Sequence, residues 1–189
     1  MTLSLIFKDR RFWPLFWTQF LGALNDNFFK NSLVILITYR AIDLWGMNSS
    51  TLVAFAGGIF ILPFFLFSAT AGQLADKYEK ADVIRITKWT ELIVMGIAAI
   101  GFWQDNFQLL MIVLFLMGTQ SAFFGPLKYG IIPSLVHEDE LVPANAAVSM
   151  GTFLSILIGT IAGGVVANMQ NYVTLIALGI IGFAILGIL

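Results

Sequence analysis

The sequence contains no cysteine and a single histidine, His137. Disulfides, thiolate nucleophiles and thiolate metal sites are therefore excluded, and so is any multi-histidine metal centre. Charge is also scarce. Asp, Glu, Lys and Arg make up 11% of the 189 residues, against about 25% in ordinary soluble domains. Too little polar material remains to coat a globule. Hydrophobic residues supply 59% of the chain and mean hydropathy is +0.89, so the implied solvent is lipid. No set of nucleophile, base and orienting group can be assembled, so neither an enzyme nor a cofactor or metal site is expected.

What is present is a series of six apolar segments, over residues 12–39, 51–75, 83–103, 107–124, 144–167 and 172–189. Most reach the roughly 20 residues that a helix needs to cross about 30 Å of hydrocarbon. The first run is too long for a signal-peptide core of about 7–15 residues. Strand alternation is absent, and a barrel would use segments of about 10 residues. An all-α membrane protein with six transmembrane helices is expected. Lys8, Arg10, Arg11, Lys77, Lys80, Arg85, Lys88 and Lys128 fall on one side and are eight of the ten basic residues. The positive-inside rule then puts the N-terminus in the cytoplasm. The sixth segment reaches Leu189 with no basic residue to mark an exit, so the expectation is the front part of a longer chain. "AGQLAD" at 71–76 and "GGVVAN" at 163–168 lie one three-helix unit apart. The pattern predicts two inverted triplets, the 3+3 construction of secondary-transporter halves.

The first segment carries Asn25, Asp26, Asn27, Lys30 and Asn31 near its midpoint. At about 100° per residue, Gln19, Gly22, Asp26, Lys30 and Leu33 share one stripe, flanked by Asn27 and Asn31. Leu21, Leu24, Phe28 and Ile35 occupy the other face and are expected to meet lipid. A charge at the bilayer centre costs roughly 2.5–3.5 kcal/mol, so such groups face protein or a wet cavity. Asp26 and Lys30, four apart with the acid first, suit an ion pair that merely locks packing. An amide-lined stripe is more than a pair needs, and a cavity for a polar or charged headgroup is favoured. Gln19, Asp26, Asn27, Lys30 and Asn31 are the candidate substrate-binding residues. Glu91, three residues after Lys88, suits a simple pair with it or a buried role.

The second segment ends "GQLADKYEK", which resembles the cytoplasmic loop motif of the major facilitator superfamily. Gly72, Asp76, Lys77 and Lys80 match, while Glu79 stands where that motif has glycine. Together with Lys128, placed to reach phosphates, these are candidate gating residues. Gly151, Gly159 and Gly163 lie on one face of the fifth segment, with the last two forming a GxxxG. Close helix packing is the expected role. "GPLKYGIIPSLVHEDELVPANA" is expected to be a structured connector, with 137–140 a solvated turn.

"NDNFFKNSLVIL", "LKYGIIPSL…LVPANA" and "GTIAGGVVA" resemble the bacterial lysophospholipid transporter family of the major facilitator superfamily. The matching positions are Asp26, Asn27, Lys128, Tyr129, Gly130, Leu141, Ala144 and Asn145; Lys30 has no counterpart in that pattern. The resemblance implies the first six of twelve helices and alternating access in the bacterial inner membrane. It also implies lysophospholipid moved to the cytoplasmic leaflet for reacylation. The implied partners are membrane lipid, the C-terminal six-helix half, and an acyltransferase with an acyl-carrier-protein ligase; no nucleic acid is involved. Two other readings stand beside it: a major facilitator exporter of drugs or metabolites, and a membrane anchor for a fused acyltransferase. An anchor has no need of Asp26 and Lys30 at the midplane.

Overall fold

The computed structural model describes residues 11–188. Lys8, Arg10 and Leu189 lie outside them. The described chain is helical, with one isolated β-bridge between Leu44 and Met47 and no strand among the described residues. Five long helices and a shorter sixth of 15 residues follow in order: α1 (Phe12–Tyr39), α2 (Ser49–Lys77), α3 (Lys80–Trp103), α4 (Phe107–Gly130), then α6 (Leu141–Ala167) and the shorter α7 (Tyr172–Leu186). The 4–5 connector supplies the short α5 (Ile132–Leu135) and a 3₁₀ turn (Glu138–Glu140). Half-buried Glu140 caps this turn, its Oε2 accepting from the His137 backbone N–H at 3.1 Å, while His137, Glu138 and Asp139 are exposed.

Local chemistry starts these helices where the sequence provides a cap. Asn48 Oδ1 accepts from Thr51 N at 3.0 Å at the start of α2, and Asn106 Oδ1 accepts from Leu109 N at 3.0 Å at the start of α4. Each satisfies one of the orphan donors of a first turn. Between α2 and α3 only Tyr78 and Glu79 intervene. Glu79 has φ −59°, a value open to any residue, so this turn closes without the glycine of the related motif.

Among the described residues three helices are long and apolar enough to cross a membrane: α2, α4 and the stretch Glu138–Ala167. α1 and α3 have the length, but their mid-helix charges and amides dilute their hydropathy. The bundle nevertheless has the burial pattern of a lipid-solvated protein. Phe65 and Phe153 are 79% and 73% exposed, while Lys88 and Glu91 are 3% and 1% exposed. A water-soluble bundle would reverse these.

α1 is the central helix. It packs along its length on α6, and also on α7, α2 and α4; the other extensive pairings are α2 with α4, and α3 with both α4 and α7. The closeness of α1 and α6 depends on glycine. A Cβ at Gly159 would fall 2.5 Å from Leu24 O, and one at Gly163 would fall 2.6 Å from Phe28 O. Ser32 Oγ also donates to Gly163 O at 3.3 Å. Gly151, earlier on the same face, lies against Phe16 and Gln19.

This placement corrects the expected lipid face of α1. Leu24 and Phe28 are buried, Leu24 under α6 and Phe28 edge-on to Phe183 of α7 at 5.6 Å. Leu24 and Phe28 thus meet α6 and α7, while Leu21 and Ile35 of the same expected face are only partly buried. Basic residues gather at one end of the bundle. Lys80 packs on Gly130, and Arg11, Arg85 and Gly187 border one groove. At the far end, Arg40 pairs with Asp105 at 2.8 Å and donates to Tyr172.

Candidate functional site

The two largest apolar cores leave a polar band between them. The larger, with Phe29, Leu33, Met95, Phe102, Leu114 and Ile180, lies toward the far end. The smaller, with Phe12, Leu15, Phe16, Ile132 and Val148, lies at the basic end. Between them is a cavity of about 350 Å³. α1 contributes Gln19, Gly22, Asp26, Asn27 and Lys30; α3 contributes Lys88 and Glu91; α4 contributes Gln120, Ser121 and Lys128; α6 contributes Thr152. Phe60, Phe64, Phe124 and Ile156 complete an apolar wall.

Asp26 and Lys30 both line this cavity, and no ion pair joins them. Each has found another partner. Ser121 donates its hydroxyl proton to Asp26 Oδ2. Lys30 Nζ donates to Asn27 Oδ1 at 3.1 Å and sits 5.0 Å from the centre of the Phe60 ring, within range of cation–π attraction. The i, i+4 spacing allows a pair but does not compel it when α2 and α4 offer competing partners. Asn31 turns toward α6, donating to Thr160 Oγ1 at 3.1 Å and to Asn27 O at 2.9 Å. It supports the α1–α6 seam and does not line the cavity.

The buried ion pair lies deeper, between Lys88 and Glu91. Glu91 Oε1 accepts from Asn25 Nδ2 at 3.0 Å, and Glu91 Oε2 accepts from Lys88 and, at 3.4 Å, from Gln120 Nε2. One carboxylate thus ties α1, α3 and α4 together, and its partial compensation is what permits burial. Glu91 is both a partner of Lys88 and a buried cavity residue. The basic-residue pattern assigned Lys88 to the surface, but the fold carries it about two turns into α3.

Lys128 is likewise drawn inward. It lines the cavity, with Nζ 3.5 Å from Thr152 Oγ1, which donates to Gln19 Oε1 at 2.9 Å. Gly72, Asp76, Lys77 and Lys80 remain at the basic end, apart from the cavity. Asp76 is exposed and has no hydrogen bond or ion pair among the described residues. Lys77 lies 5.4 Å from the centre of the Tyr78 ring.

Gln120, Ser121 and Thr152 were missed by sequence reasoning. The available signal was their place as polar residues inside otherwise apolar runs.

Chemically, the cavity offers both signs. With Lys88 and Glu91 matched, Lys30 and Lys128 face one carboxylate, Asp26. Gln19 Nε2 and Asp26 Oδ1 are buried without a hydrogen-bond partner among the described residues, and such orphans are costly unless something fills them. The site has a donor and two cations for an anionic group, an acceptor for a hydroxyl or ammonium, and aromatic walls for hydrocarbon.

The family model for the Major Facilitator Superfamily matches residues 15–189. The "Lysophospholipid transporter LplT" of Escherichia fergusonii is 31% identical over 159 residues, covering 84% of this chain and 37% of the relative. The protein of the same name from Enterobacter sp. (strain 638) is 33% identical over 162 residues, covering 86% of this chain and 37% of its own length. The chain therefore spans little more than a third of the relatives it matches. No solved structure matches it.

Proposed function

This chain belongs to the Major Facilitator Superfamily, and we propose that it is the N-terminal six-helix half of a transporter that moves lysophospholipids across the bacterial inner membrane. Its N-terminus and basic end lie in the cytoplasm, as the positive-inside rule directs. The cargo is delivered to the cytoplasmic leaflet for reacylation, and the second half of the fold closes the cavity by alternating access. The acyltransferase and acyl-carrier-protein ligase are the partners this role implies.

One observation carries the reading: a cavity at the midpoint of α1 that combines Asp26, Lys30 and Lys128 with a wall of Phe60, Phe64 and Phe124. A one-tailed lipid has that composition: a phosphate for the lysines, an amine or hydroxyl for Asp26, and hydrocarbon for the rings. The relatives named as lysophospholipid transporters support it. An anchor would not need buried, cavity-lining charges.

The helix pairings support a 3+3 construction. Exchanging α1, α2 and α3 with α4, α6 and α7 maps the α1–α6 pairing onto α4–α2, and the α3–α4 pairing onto α7–α1. It returns the α3–α7 pairing to itself. A pseudo-two-fold axis between triplets requires this correspondence.

Uptake of labelled lysophospholipid into spheroplasts by the full-length protein tests the proposal. Asp26→Asn and Lys30→Ala should each lower uptake while the protein still inserts. Undiminished uptake by both inserted variants would return these residues to a packing role.

A further inference from the structure

A second concavity lies apart from the central cavity, at the basic end between α1, α3, α5 and α7. It is a groove of about 210 Å³. Arg11, Arg85 and Lys88 line it, and no carboxylate does among the described residues. Its other walls include Leu15, Ile84 and Trp89. Arg85 and Lys88 lie one turn apart on α3, so the cations form a short ladder from the helix start toward the membrane interior.

Three features define what the groove would hold. The charge is of one sign, and the neighbouring carboxylates are already engaged: Asp82 with Arg85 at 3.1 Å, and Glu91 with Lys88. The Arg85–Asp82 pair is exposed on both sides, so an incoming anion can share the guanidinium at little cost. The depth is that of lipid headgroups. The groove occupies the first turns of α1 and α3, and Trp89, 57% exposed, is a residue type that settles at the membrane interface. Finally, the remaining wall is apolar. A free anion would share Arg85 and leave Leu15, Ile84 and Trp89 uncovered, whereas a phosphate with an attached glycerol and acyl chain meets both.

We propose that this groove binds the phosphate of a bilayer glycerophospholipid, at a site distinct from the central cavity. The proposal needs the chain to lie in a membrane, but it does not depend on which cargo the cavity carries. Lys88 lines both spaces. Lipid in the groove would therefore lie against the same side chain that holds Glu91 and, through it, Asn25 and Gln120.

The experiment uses the full-length protein in nanodiscs that contain phosphatidylglycerol with a photoactivatable headgroup, without lysophospholipid. After irradiation, mass spectrometry locates the adducts. Adducts are expected on residues 81–89. Arg85→Gln should reduce them about fivefold, the loss of one cation near an anionic surface. Arg85→Lys should largely restore them, and Arg40→Gln at the far end should change nothing. Equal labelling in Arg85→Gln would overturn the proposal. So would labelling no higher than at the far end, as expected if another part of the polypeptide fills the groove. Loss of the adducts on adding excess lysophospholipid would assign the groove to cargo and overturn it too. Uptake by Asp26→Asn reads the cavity separately, so failure of one proposal leaves the other standing.

Discussion

Removing Glu91 should destabilise the bundle more than removing any surface charge, and the loss should be recoverable by removing Lys88 as well. Lys88 Nζ has Glu91 as its one hydrogen-bond partner among the described residues. It is packed so closely that a Cβ on Gly187 would lie 2.9 Å away and one on Gly22 3.2 Å away. Glu91→Ala leaves this ammonium buried and unmatched, at a cost of about 3–5 kcal/mol. Lys88→Met leaves the carboxylate with two donors, Asn25 at 3.0 Å and Gln120 at 3.4 Å. Hydrogen bonds to a charged group contribute about 1.5–3 kcal/mol each, so this variant should sit at the low end of the same range. Lys88→Met with Glu91→Leu removes both charges and fills the space with hydrocarbon. Replacement of a buried pair in this way is commonly neutral or stabilising. The expected order of stability is therefore double variant near wild type, then Lys88→Met, then Glu91→Ala. Unfolding in mixed micelles, followed by the fluorescence of the five tryptophans, measures all four proteins. A Glu91→Ala protein as stable as wild type, or a double variant no better than the worse single one, would refute the buried-pair account.

Two glycines of α6 should respond in opposite ways in the same unfolding assay. Gly159→Ala drives a Cβ to 2.5 Å from the backbone oxygen of Leu24 and should cost about 1–3 kcal/mol; Gly164→Ala meets nothing within 4 Å and should be neutral or gain up to about 1 kcal/mol from helix propensity. At the basic end, Asp76→Asn should leave the stability of these six helices unchanged, because Asp76 is exposed and unpartnered among the described residues. In the full-length protein the same change should speed the labelling of a cysteine placed at Ala23 about tenfold, the effect of losing one charge-assisted bond from a closed state. Unchanged labelling would remove Asp76 from the gate. The sequence has no native cysteine, so labelling starts from a clean background.

The membrane class, the run of apolar segments and the clustering of cations toward one end are written in the sequence. Hydropathy and segment length are properties of the chain in one dimension. The polar midpoint of α1 was equally legible, because a charge amid apolar residues is conspicuous without any knowledge of its neighbours. Side-chain partners were not legible. Spacing along one helix says which residues can meet, while the partner chosen depends on what other helices bring. Ser121, 95 residues away, took Asp26; Phe60 and Asn27 took Lys30; Asn25, 66 residues from Glu91, turned a local Lys88–Glu91 pair into a three-helix tie. The burial of Leu24 and Phe28 follows from the same cause. An apolar face reads identically whether it meets lipid or glycine-bearing α6, because both are hydrocarbon-like surroundings. Only the close approach allowed by Gly159 and Gly163 put α1 at the centre of the bundle, and with it placed Asp26, Lys30, Glu91 and Lys128 around one cavity.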